Sequence, residues 1–246
     1  MSSDLAPSDG AVSGPEKRSY VRSMFTAIAP RYDLLNHVLS LNVDRWWRGR
    51  AVRRLGWEES PRGVYLDLCA GTLDLAAELA NRPGFGGRVV GADFVIPMLT
   101  LGRQKASGLH PVGADALCLP FPSRCFDGCT VGFGVRNLTD LTVGLTEIAR
   151  VLKSGSRLVV LEFSTPASLP MRQLYMFYFR NILPLIGRVV SKHMTAYSYL
   201  PDSVQRFPNG GNFTAQMRAC GFTDVGTERL TFGVASLYWG VVGDDR

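Results

Sequence analysis

Five short apolar runs alternate with helical stretches between residues 64 and 163, and this alternation constrains the fold more than any other feature. The runs are VYLDL (64–68), RVVGAD (88–93), HPVGAD (110–115), FDGCTVGFG (126–134) and SRLVVLEF (156–163). Helix-like patterns fill 74–81, 95–106 and 140–153. Apolar strands joined by helices predict a parallel sheet that is covered on both faces. Residues 222–242 predict a terminal hairpin, so one terminal strand should be antiparallel.

Acidic residues stand at the ends of these predicted strands. Asp67 ends the first strand, Asp93 the second, Asp115 the third and Glu162 the fifth. Open parallel sheets bind their ligands outside the C-terminal ends of the strands. The sequence therefore predicts one ligand site that is bordered by these acids.

The first strand runs into a loop of small residues, and a helix begins near Asp74. Ala70 and Gly71 let a ligand approach the backbone closely. Asp93 can accept hydrogen bonds from both hydroxyls of a ribose, and Asp115 can accept one from an adenine amino group. A pyrophosphate favours a helix N-terminus without acids, so Asp74 disfavours NAD. S-adenosylmethionine (SAM), which has a ribose, an adenine and a sulfonium cation, fits better.

Structural roles stay open for several of these residues. Asp74 can cap the N-terminus of its helix, and Asp67 can hold the turn through backbone hydrogen bonds. The glycines of 132–134 are expected to leave room for the methyl donor. The three histidines, His37, His110 and His193, have no partners at metal-ligand spacing, so no metal is expected.

Composition narrows the class of protein. The 246 residues carry a net charge of +6 and five cysteines without a CxxC or CxxH pair. Because the N-terminus lacks an apolar signal segment, we expect a reduced, cytoplasmic protein. No apolar run reaches the roughly 18 residues of a membrane span. The net positive charge is compatible with an anionic partner or membrane surface but is weak evidence for either. No nucleic-acid partner is expected.

The chain divides into three predicted regions. Residues 1–17 are rich in Ser, Gly, Pro and Ala and predict a disordered tail. Residues 18–60 predict an N-terminal helical cap, and residues 61–246 hold the sheet. Within the last region, about 165–212 is dense in Met, Phe, Tyr and Leu. This segment predicts a core helix, an apolar lid over a substrate, or both at once.

Seven segments in order carry a family resemblance: MFTAIAPRYDLLNHVLSLNVDRWWR, LDLCAGTLDLA, GADFVIPMLTLGRQK, ADALCLPFPSRCFD, VGFGVRNLTDL, EIARVLKSGSRLVVLEFSTP and YSYLPDSVQRFPNGGNF. In them the chain resembles the ubiquinone/menaquinone biosynthesis C-methyltransferases over about residues 18–242. The resemblance implies an α/β fold, namely a Rossmann-like class I SAM-dependent methyltransferase. Its sheet would have seven mostly parallel strands and a C-terminal antiparallel hairpin. The implied reaction is methyl transfer from SAM to a ring carbon of a polyprenylated quinol.

The resemblance also implies which residues contact the cofactor. By motif position these are Thr72, Asp93 and the pair Asp115–Ala116. With the loop and the other strand ends, the predicted cofactor-binding residues are Asp67, Ala70, Gly71, Thr72, Asp93, Phe94, Asp115, Ala116 and Gly132. Two positions depart from the family pattern, since many relatives have Gly in place of Leu73 and Ser in place of Gly132. As the first residue of the helix Leu73 would point away from the ligand, whereas Gly132 removes a hydroxyl contact.

Arg136 and Asn137 follow the fourth strand and are the predicted catalytic residues. Arg136 would stabilise the quinol phenolate or orient a water that takes the proton, with Asn137 as a hydrogen-bond partner. The structural alternative is that Arg136 braces the loop or the N-terminal helices. Further candidates are Tyr32, Asp33 and Asn36 as a cover for the cofactor, and Tyr197 and Tyr199 as walls of the quinol pocket.

The partners follow from the implied reaction. Demethylmenaquinol is the favoured acceptor, and the benzoquinol precursor of ubiquinol stays open. The apolar stretch 169–190 and the basic helix 45–54 predict peripheral contact with the inner face of the membrane. A homodimer also stays open. The alternatives are a SAM-dependent methyltransferase of another small phenol and a non-catalytic nucleotide-binding Rossmann protein.

Overall fold

A seven-stranded sheet forms the centre of the computed structural model, which describes residues 15–178, 181, 195–208 and 210–243. Its strands are β1 (Val64–Leu68), β2 (Arg88–Asp93), β3 (Leu109–Gly113), β4 (Phe126–Gly132), β5 (Leu152–Phe163), β6 (Phe222–Leu230) and β7 (Ala235–Val242). They lie in the order β3-β2-β1-β4-β5-β7-β6. Strands β1 to β5 are parallel, and β7 runs antiparallel to both β5 and β6. The predicted fold class and its antiparallel terminal hairpin are thus confirmed.

Nine α-helices lie in the described part of the chain: α1 (Pro15–Ile28), α2 (Tyr32–Leu39), α3 (Val43–Leu55), α4 (Asp74–Ala80), α5 (Ile96–Gly102), α6 (Leu141–Val151), α7 (Leu169–Phe177), α8 (Thr195–Arg206) and α9 (Gly211–Ala219). Helix α1 begins at Pro15, three residues before the predicted start of the helical cap, and residues 1–14 lie outside the described part. Most of the segment 179–194 and the side chain of Tyr197 also lie outside it. No described helix has the length and apolar character needed to cross a membrane.

Helices cover both faces of the sheet, and side chains that alternate along β1 show why. Tyr65 packs on one face against α3 and α4, whereas Leu66 packs on the other face against α6 and α9. Helix α3 contributes Trp47, Ala51 and Val52 to the first of these cores. It is therefore a layer of the central fold, while α1 and α2 lie near the C-terminal edge of the sheet. The predicted division at residue 61 assigned α3 to the N-terminal cap, whereas in the structure α3 packs directly on the sheet.

Leu73 occupies the position at which a glycine is common in such loops. It is the residue before α4 and not the first residue of that helix. Its φ of 64° lies in the left-handed region that favours glycine. The side chain is fully buried in the core beneath the loop. A Cβ atom at Gly91 on β2 would lie 2.0 Å from Leu73 Cδ2. Gly91 therefore makes room for Leu73, which points away from the ligand side of the loop as expected.

Replacing Gly91 with alanine should destabilise the fold by about 1–3 kcal/mol, because the new methyl group overpacks the core against Leu73. The Leu73→Ala variant should lose about 2–5 kcal/mol by itself. The double variant should lose less stability than the sum of the two single losses, because the shortened side chain at position 73 leaves room for the new methyl group. Urea unfolding followed by circular dichroism measures all three. Gly86→Ala, where a Cβ atom meets only Arg62 Cγ at 3.9 Å, is the control. Additive losses would contradict this packing.

Candidate active site

Three cavities meet at the C-terminal edge of the sheet. The strand-end cavity, of about 70 Å³, lies between α1 and the ends of β1, β2 and β4. The loop cavity, of about 40 Å³, lies against the loop 69–73 and the start of α4. The apolar cavity is the largest, at about 480 Å³, and extends from the loop toward α2, α3 and α7.

All nine predicted cofactor-binding residues line the first two cavities. The strand-end cavity is lined by Gly71, Asp93, Phe94, Asp115, Ala116 and Gly132. The loop cavity is lined by Asp67, Ala70, Gly71, Thr72 and Gly132. Since Gly71 and Gly132 border both cavities, the two form one elongated site along the loop.

Asp93 ties the loop to the end of β2. Its Oδ2 accepts a hydrogen bond from the backbone N–H of Gly71 at 2.8 Å, and its Oδ1 accepts one from Val95 N–H at 2.8 Å. Burial raises the pKa of Asp93, and the backbone hydrogen bonds oppose this rise. Each carboxylate oxygen has a second lone pair, so the group can still accept hydrogen bonds from a ligand in the strand-end cavity.

Asp67 is held entirely by the protein. Its Oδ2 accepts the backbone N–H of Ala76 at 3.0 Å, and its Oδ1 accepts the hydroxyl of Thr130 at 3.0 Å. The side chain is 1% exposed, and burial raises its pKa to about 7. These contacts agree with the turn-holding alternative for Asp67, although the residue also borders the loop cavity.

Asp74 does not cap α4, contrary to one interpretation of the sequence. Leu73 is the N-cap residue, and it makes no side-chain capping bond. The Asp74 carboxylate instead forms ion pairs with Arg48 at 3.2 Å and with Lys105 at 2.5 Å. Lys105 also pairs with Asp33 at 2.7 Å, and Asp33 accepts the hydroxyl of Thr72. Helices α2 and α3 are thereby fastened to the loop.

Asp115 forms a contact that the sequence did not predict. Its Oδ2 pairs with Arg18 of α1 at 2.8 Å, and its Oδ1 accepts the backbone N–H of Leu117 at 3.1 Å. Arg18 and Asp115 both line the strand-end cavity, so this ion pair closes α1 over it. An adenine amino group that reaches Asp115 would share the carboxylate with Arg18 or displace it.

The walls of the apolar cavity are mostly aliphatic and aromatic. The main contributors are Met24, Phe25, Ile28, Leu41, Val43, Trp47, Phe133, Phe163, Met171, Leu174, Tyr175, Phe177, Tyr178 and Leu200. Several of them come from α7 and α8, the described parts of the predicted lid. Tyr199, a predicted wall residue, does line this cavity. A cavity of this volume and lining suits a lipophilic ring that carries an apolar chain.

Arg136 is one of two buried arginines in the described wall of the apolar cavity, the other being Arg48. Its Nη1 donates to Glu162 Oε1 at 2.6 Å and to the backbone carbonyl of Phe133, while Nε is buried without a hydrogen-bond partner. Glu162 is fully buried, and burial raises its pKa against the opposing effect of Arg136. Asn137 lies on the strand-end side, where its Oδ1 accepts the hydroxyl of Tyr199 at 3.0 Å. Arg136 thus braces the segment that follows β4 and also lines the apolar cavity.

Tyr32 and Phe133 line all three cavities and mark the place where they join. Phe133 adopts a left-handed φ of 57° just after β4. Asn36 and Arg48 border both the loop cavity and the apolar cavity. A ligand along the loop and a ligand in the apolar cavity would therefore meet beside Tyr32 and Phe133.

Arg48 and Glu162 are the main residues whose roles sequence reasoning missed. Arg48 appeared to be one of several arginines on a basic helix, yet it is 8% exposed and pairs with Asp44 at 2.6 Å. The spacing of four residues between Asp44 and Arg48 was the available signal. Glu162 was noted only as the acid that ends the fifth strand.

Most of the basic helix 45–54 is engaged with the protein. Arg50 and Arg54 both pair with Glu228 of β6, and Arg54 also lies 3.9 Å from the ring centroid of Trp239. Arg45 and Arg53 remain exposed. The basic surface that this helix exposes therefore comes mainly from these two arginines, and its contact with a bilayer stays a prediction.

The residues fit SAM. The elongated site has acids at the ends of β1 and β2 and just after β3, and it has small residues at Ala70 and Gly71 for close approach. Among the described residues its lining arginines, Arg18 and Arg48, are both paired with acids, whereas a pyrophosphate needs free cations. Asp93, Asp115 and the backbone of the loop would hold the adenosine part. The loop cavity, which Asp67, Asp74 and Arg48 border, would hold the zwitterionic methionine part.

Comparison with known proteins agrees with this fit. The sequence profile of the ubiE/COQ5 methyltransferase family matches residues 13–242. The Ubiquinone/menaquinone biosynthesis C-methyltransferase UbiE of Geobacter sulfurreducens is 45% identical over 93% of this chain and 90% of its own. A Demethylmenaquinone methyltransferase of Thermus thermophilus is 48% identical over 88% of this chain and 99% of its own. A solved SAM-dependent methyltransferase of Thermotoga maritima, called a possible histamine N-methyltransferase, shares the fold: its TM-score is 0.63 at 17% identity, over 89% of this chain and 98% of its own.

Replacing Asp67 with asparagine should remove a pH-dependent loss of stability. The pKa of Asp67 is raised from 3.8 to about 7, so the folded state holds a proton that the unfolded state releases. The stability of the wild type should therefore fall by up to a few kcal/mol relative to Asp67→Asn as the pH rises from about 4 to 8. Urea unfolding at several pH values measures this difference. A difference that stays constant with pH would show that Asp67 is ionised throughout.

Proposed function

The chain belongs to the ubiE/COQ5 methyltransferase family, and from this premise we propose that it methylates a ring carbon of demethylmenaquinol, a polyprenylated quinol. It is a SAM-dependent C-methyltransferase. The observation that carries the choice of acceptor is the apolar cavity of about 480 Å³, which meets the cofactor site at Tyr32 and Phe133. Relatives with the name demethylmenaquinone methyltransferase support the same acceptor.

When bound, SAM supplies an electrophilic methyl group on a sulfonium sulfur. The protein has to place an electron-rich ring carbon opposite that methyl group, and orientation of this kind lowers the barrier strongly. Tyr32 and Phe133 border the junction from opposite elements, the start of α2 and the end of β4, and we propose that they hold the two ligands in line. The apolar walls would exclude water from the junction.

Arg136 is proposed to stabilise the phenolate form of the quinol. Deprotonation of a ring hydroxyl pushes electron density onto the adjacent carbon, which makes that carbon nucleophilic. A fixed cation in an apolar cavity stabilises such a charge far better than it could in water. Because Glu162 and the carbonyl of Phe133 both hold Nη1, the guanidinium is already oriented before substrate binds. Asn137 supports this arrangement through Tyr199.

The size and character of the cavity favour this function over the alternatives. A small water-soluble phenol would need a pocket with more polar partners and less volume than this one. A non-catalytic nucleotide-binding protein would have no use for a buried arginine in a second cavity that opens onto the cofactor site. The same cavity would also admit the benzoquinol precursor of ubiquinol, so we rank that acceptor second.

Exposed apolar side chains surround the mouth of the apolar cavity. Leu41, Leu174 and Phe177 line the cavity and are 80%, 61% and 56% exposed. We propose that this rim touches a bilayer, from which the prenyl chain of the quinol enters. Apolar contact of this kind would give peripheral attachment, and the exposed Arg45, four residues after Leu41, would add attraction to anionic lipid. The described helices α7 and α8 of the predicted lid would cover the cavity on this side.

Replacing Arg136 with alanine should lower the turnover of reduced demethylmenaquinol by about 10²-fold or more, the loss typical when one stabilising donor is removed. The affinity for SAM should change little, because Arg136 borders the apolar cavity rather than the cofactor site. Single-turnover kinetics and calorimetry measure the two quantities. The exposed Arg53→Ala variant is the control. An equal loss of SAM binding would contradict the role of Arg136, and an inactive wild type would contradict the function itself.

A variant with Leu174→Ser and Phe177→Ser should bind vesicles less tightly than the wild type. The rim loses two exposed apolar side chains, whereas the folded core is unaffected. Flotation with vesicles that contain phosphatidylglycerol, at low salt, measures the bound fraction. Leu101→Ser, which removes a side chain that is 52% exposed on α5, is the matched control. If the wild type itself does not float, the proposed membrane contact is wrong.

A further inference from the structure

Methylation of an aromatic carbon leaves one proton to be removed. The ring carbon forms a bond to the methyl group while the bond from that methyl group to sulfur breaks, and its electron pair stays on sulfur. The ring carbon then bears both the methyl group and its original hydrogen. Loss of that hydrogen as a proton returns the electron pair of the C–H bond to the ring. The hydroxyl proton lost at the start is regained by the product, so the ring proton is the net proton released.

The apolar cavity contains few groups that can take this proton. Its titratable lining residues, among those the structure describes, are Tyr32, Asp44, Arg48, Arg136, Tyr175, Tyr178 and Tyr199. Burial raises the pKa of each of these four tyrosines, which keeps them protonated at neutral pH. The two arginines are cations without a free lone pair. Asp44 is the sole carboxylate in this described lining.

We propose that Asp44 and His37 form the proton-accepting pair of this methyltransferase, with Asp44 as the catalytic base and His37 as the relay to solvent. The proposal rests on the proposed function. His37 Nδ1 lies 3.0 Å from Asp44 Oδ2, and Ser40 donates its hydroxyl to Asp44 Oδ1 at 2.6 Å. These two contacts fix the orientation of the carboxylate.

The exposure of the two side chains indicates the direction in which the proton would move. The side chain of Asp44 is 4% exposed and that of His37 is 25% exposed, so the pair leads from the cavity wall to the surface. Histidine is the side chain best suited to exchange protons with water near neutral pH. A histidine that shares one ring nitrogen with a carboxylate has the other nitrogen available for that exchange.

Arg48 places the pair next to the reaction. Its Nη2 contacts Asp44 Oδ2 at 2.6 Å, while its Nη1 contacts Asp74 Oδ2 at 3.2 Å at the border of the loop cavity. The titratable and charged groups around Asp44 are His37 from α2 and Arg48 from α3, and Asp74 at the start of α4 lies beyond Arg48. Because Arg48 borders both the loop cavity and the apolar cavity, Asp44 is one side chain away from the junction.

An isotope effect tests this role directly. Asp44→Asn keeps the shape of the side chain and removes the carboxylate, while His37→Asn keeps a hydrogen-bonding group near the position of Nδ1 and removes the rest of the ring. The substrate is reduced demethylmenaquinol with either protium or deuterium on the carbon that is methylated. In both variants turnover should fall, by about 10²-fold or more for Asp44→Asn, as is usual for loss of a general base. In both, the protium substrate should also react faster than the deuterated one, because proton removal has become rate-limiting.

A merely structural role would slow both isotopic substrates equally, and that result would overturn the proposal. Turnover at the wild-type rate in both variants would overturn it as well. If Asp44→Asn no longer binds SAM, His37→Asn decides the question, since His37 lies nearer the surface. In a further variant, His37→Ala, added imidazole should restore turnover because it can replace the missing ring. The exposed His110→Asn variant is the matched control, and wild-type turnover of the protium substrate separates this proposal from failure of the proposed function.

Discussion

The ion pairs around Asp74 are the interaction on which the site depends. Asp74 stands at the start of α4, next to the loop, and binds Arg48 of α3 and Lys105, which follows α5. Arg48 also pairs with Asp44, and Lys105 also pairs with Asp33. Both acids lie on the helices that precede the sheet. Breaking one member of such a partly buried network leaves an uncompensated charge, which costs more than the pair itself contributes. The N-terminal helices are therefore held in a single position over the loop, and this position creates both the junction and the wall of the apolar cavity.

The two halves of the site differ in polarity, and the chemistry needs that difference. On the cofactor side, the acids at the strand ends are already hydrogen-bonded to the backbone or paired with cations, so they require little reorganisation when a ligand binds. On the acceptor side, aromatic and aliphatic walls enclose Arg136, whose orientation Glu162 fixes. Charge that develops on a bound ring meets a prearranged cation in an apolar medium, where its effect is largest. Tyr32 and Phe133 form the boundary between these two environments.

The sheet and the cofactor edge could be predicted from the sequence because they rest on local signals. Apolar runs set the strands, and the acids at their ends, such as Asp93 and Asp115, must lie at one edge of a parallel sheet. The pairing of Asp115 with Arg18 and the burial of Arg48 could not be predicted, since helical periodicity shows which residues share a face but not what that face meets. Leu73 was expected to be the first residue of the helix, but it precedes α4 with a left-handed backbone, and its burial depends on the space that Gly91 provides, a contact between distant residues. The roles of the site residues as cofactor and catalytic groups remain proposals.

The central claim is that the reacting form of the acceptor is a reduced ring in the apolar cavity beside the cofactor site. The most direct measurement is transfer of labelled methyl from SAM to chemically reduced demethylmenaquinol in detergent, with the oxidised quinone in a parallel reaction. We predict a methylated product from the reduced form alone, because only the quinol can supply a phenolate for Arg136 to stabilise. Equal product from the oxidised quinone, or no product from the quinol while SAM remains bound, would contradict the account.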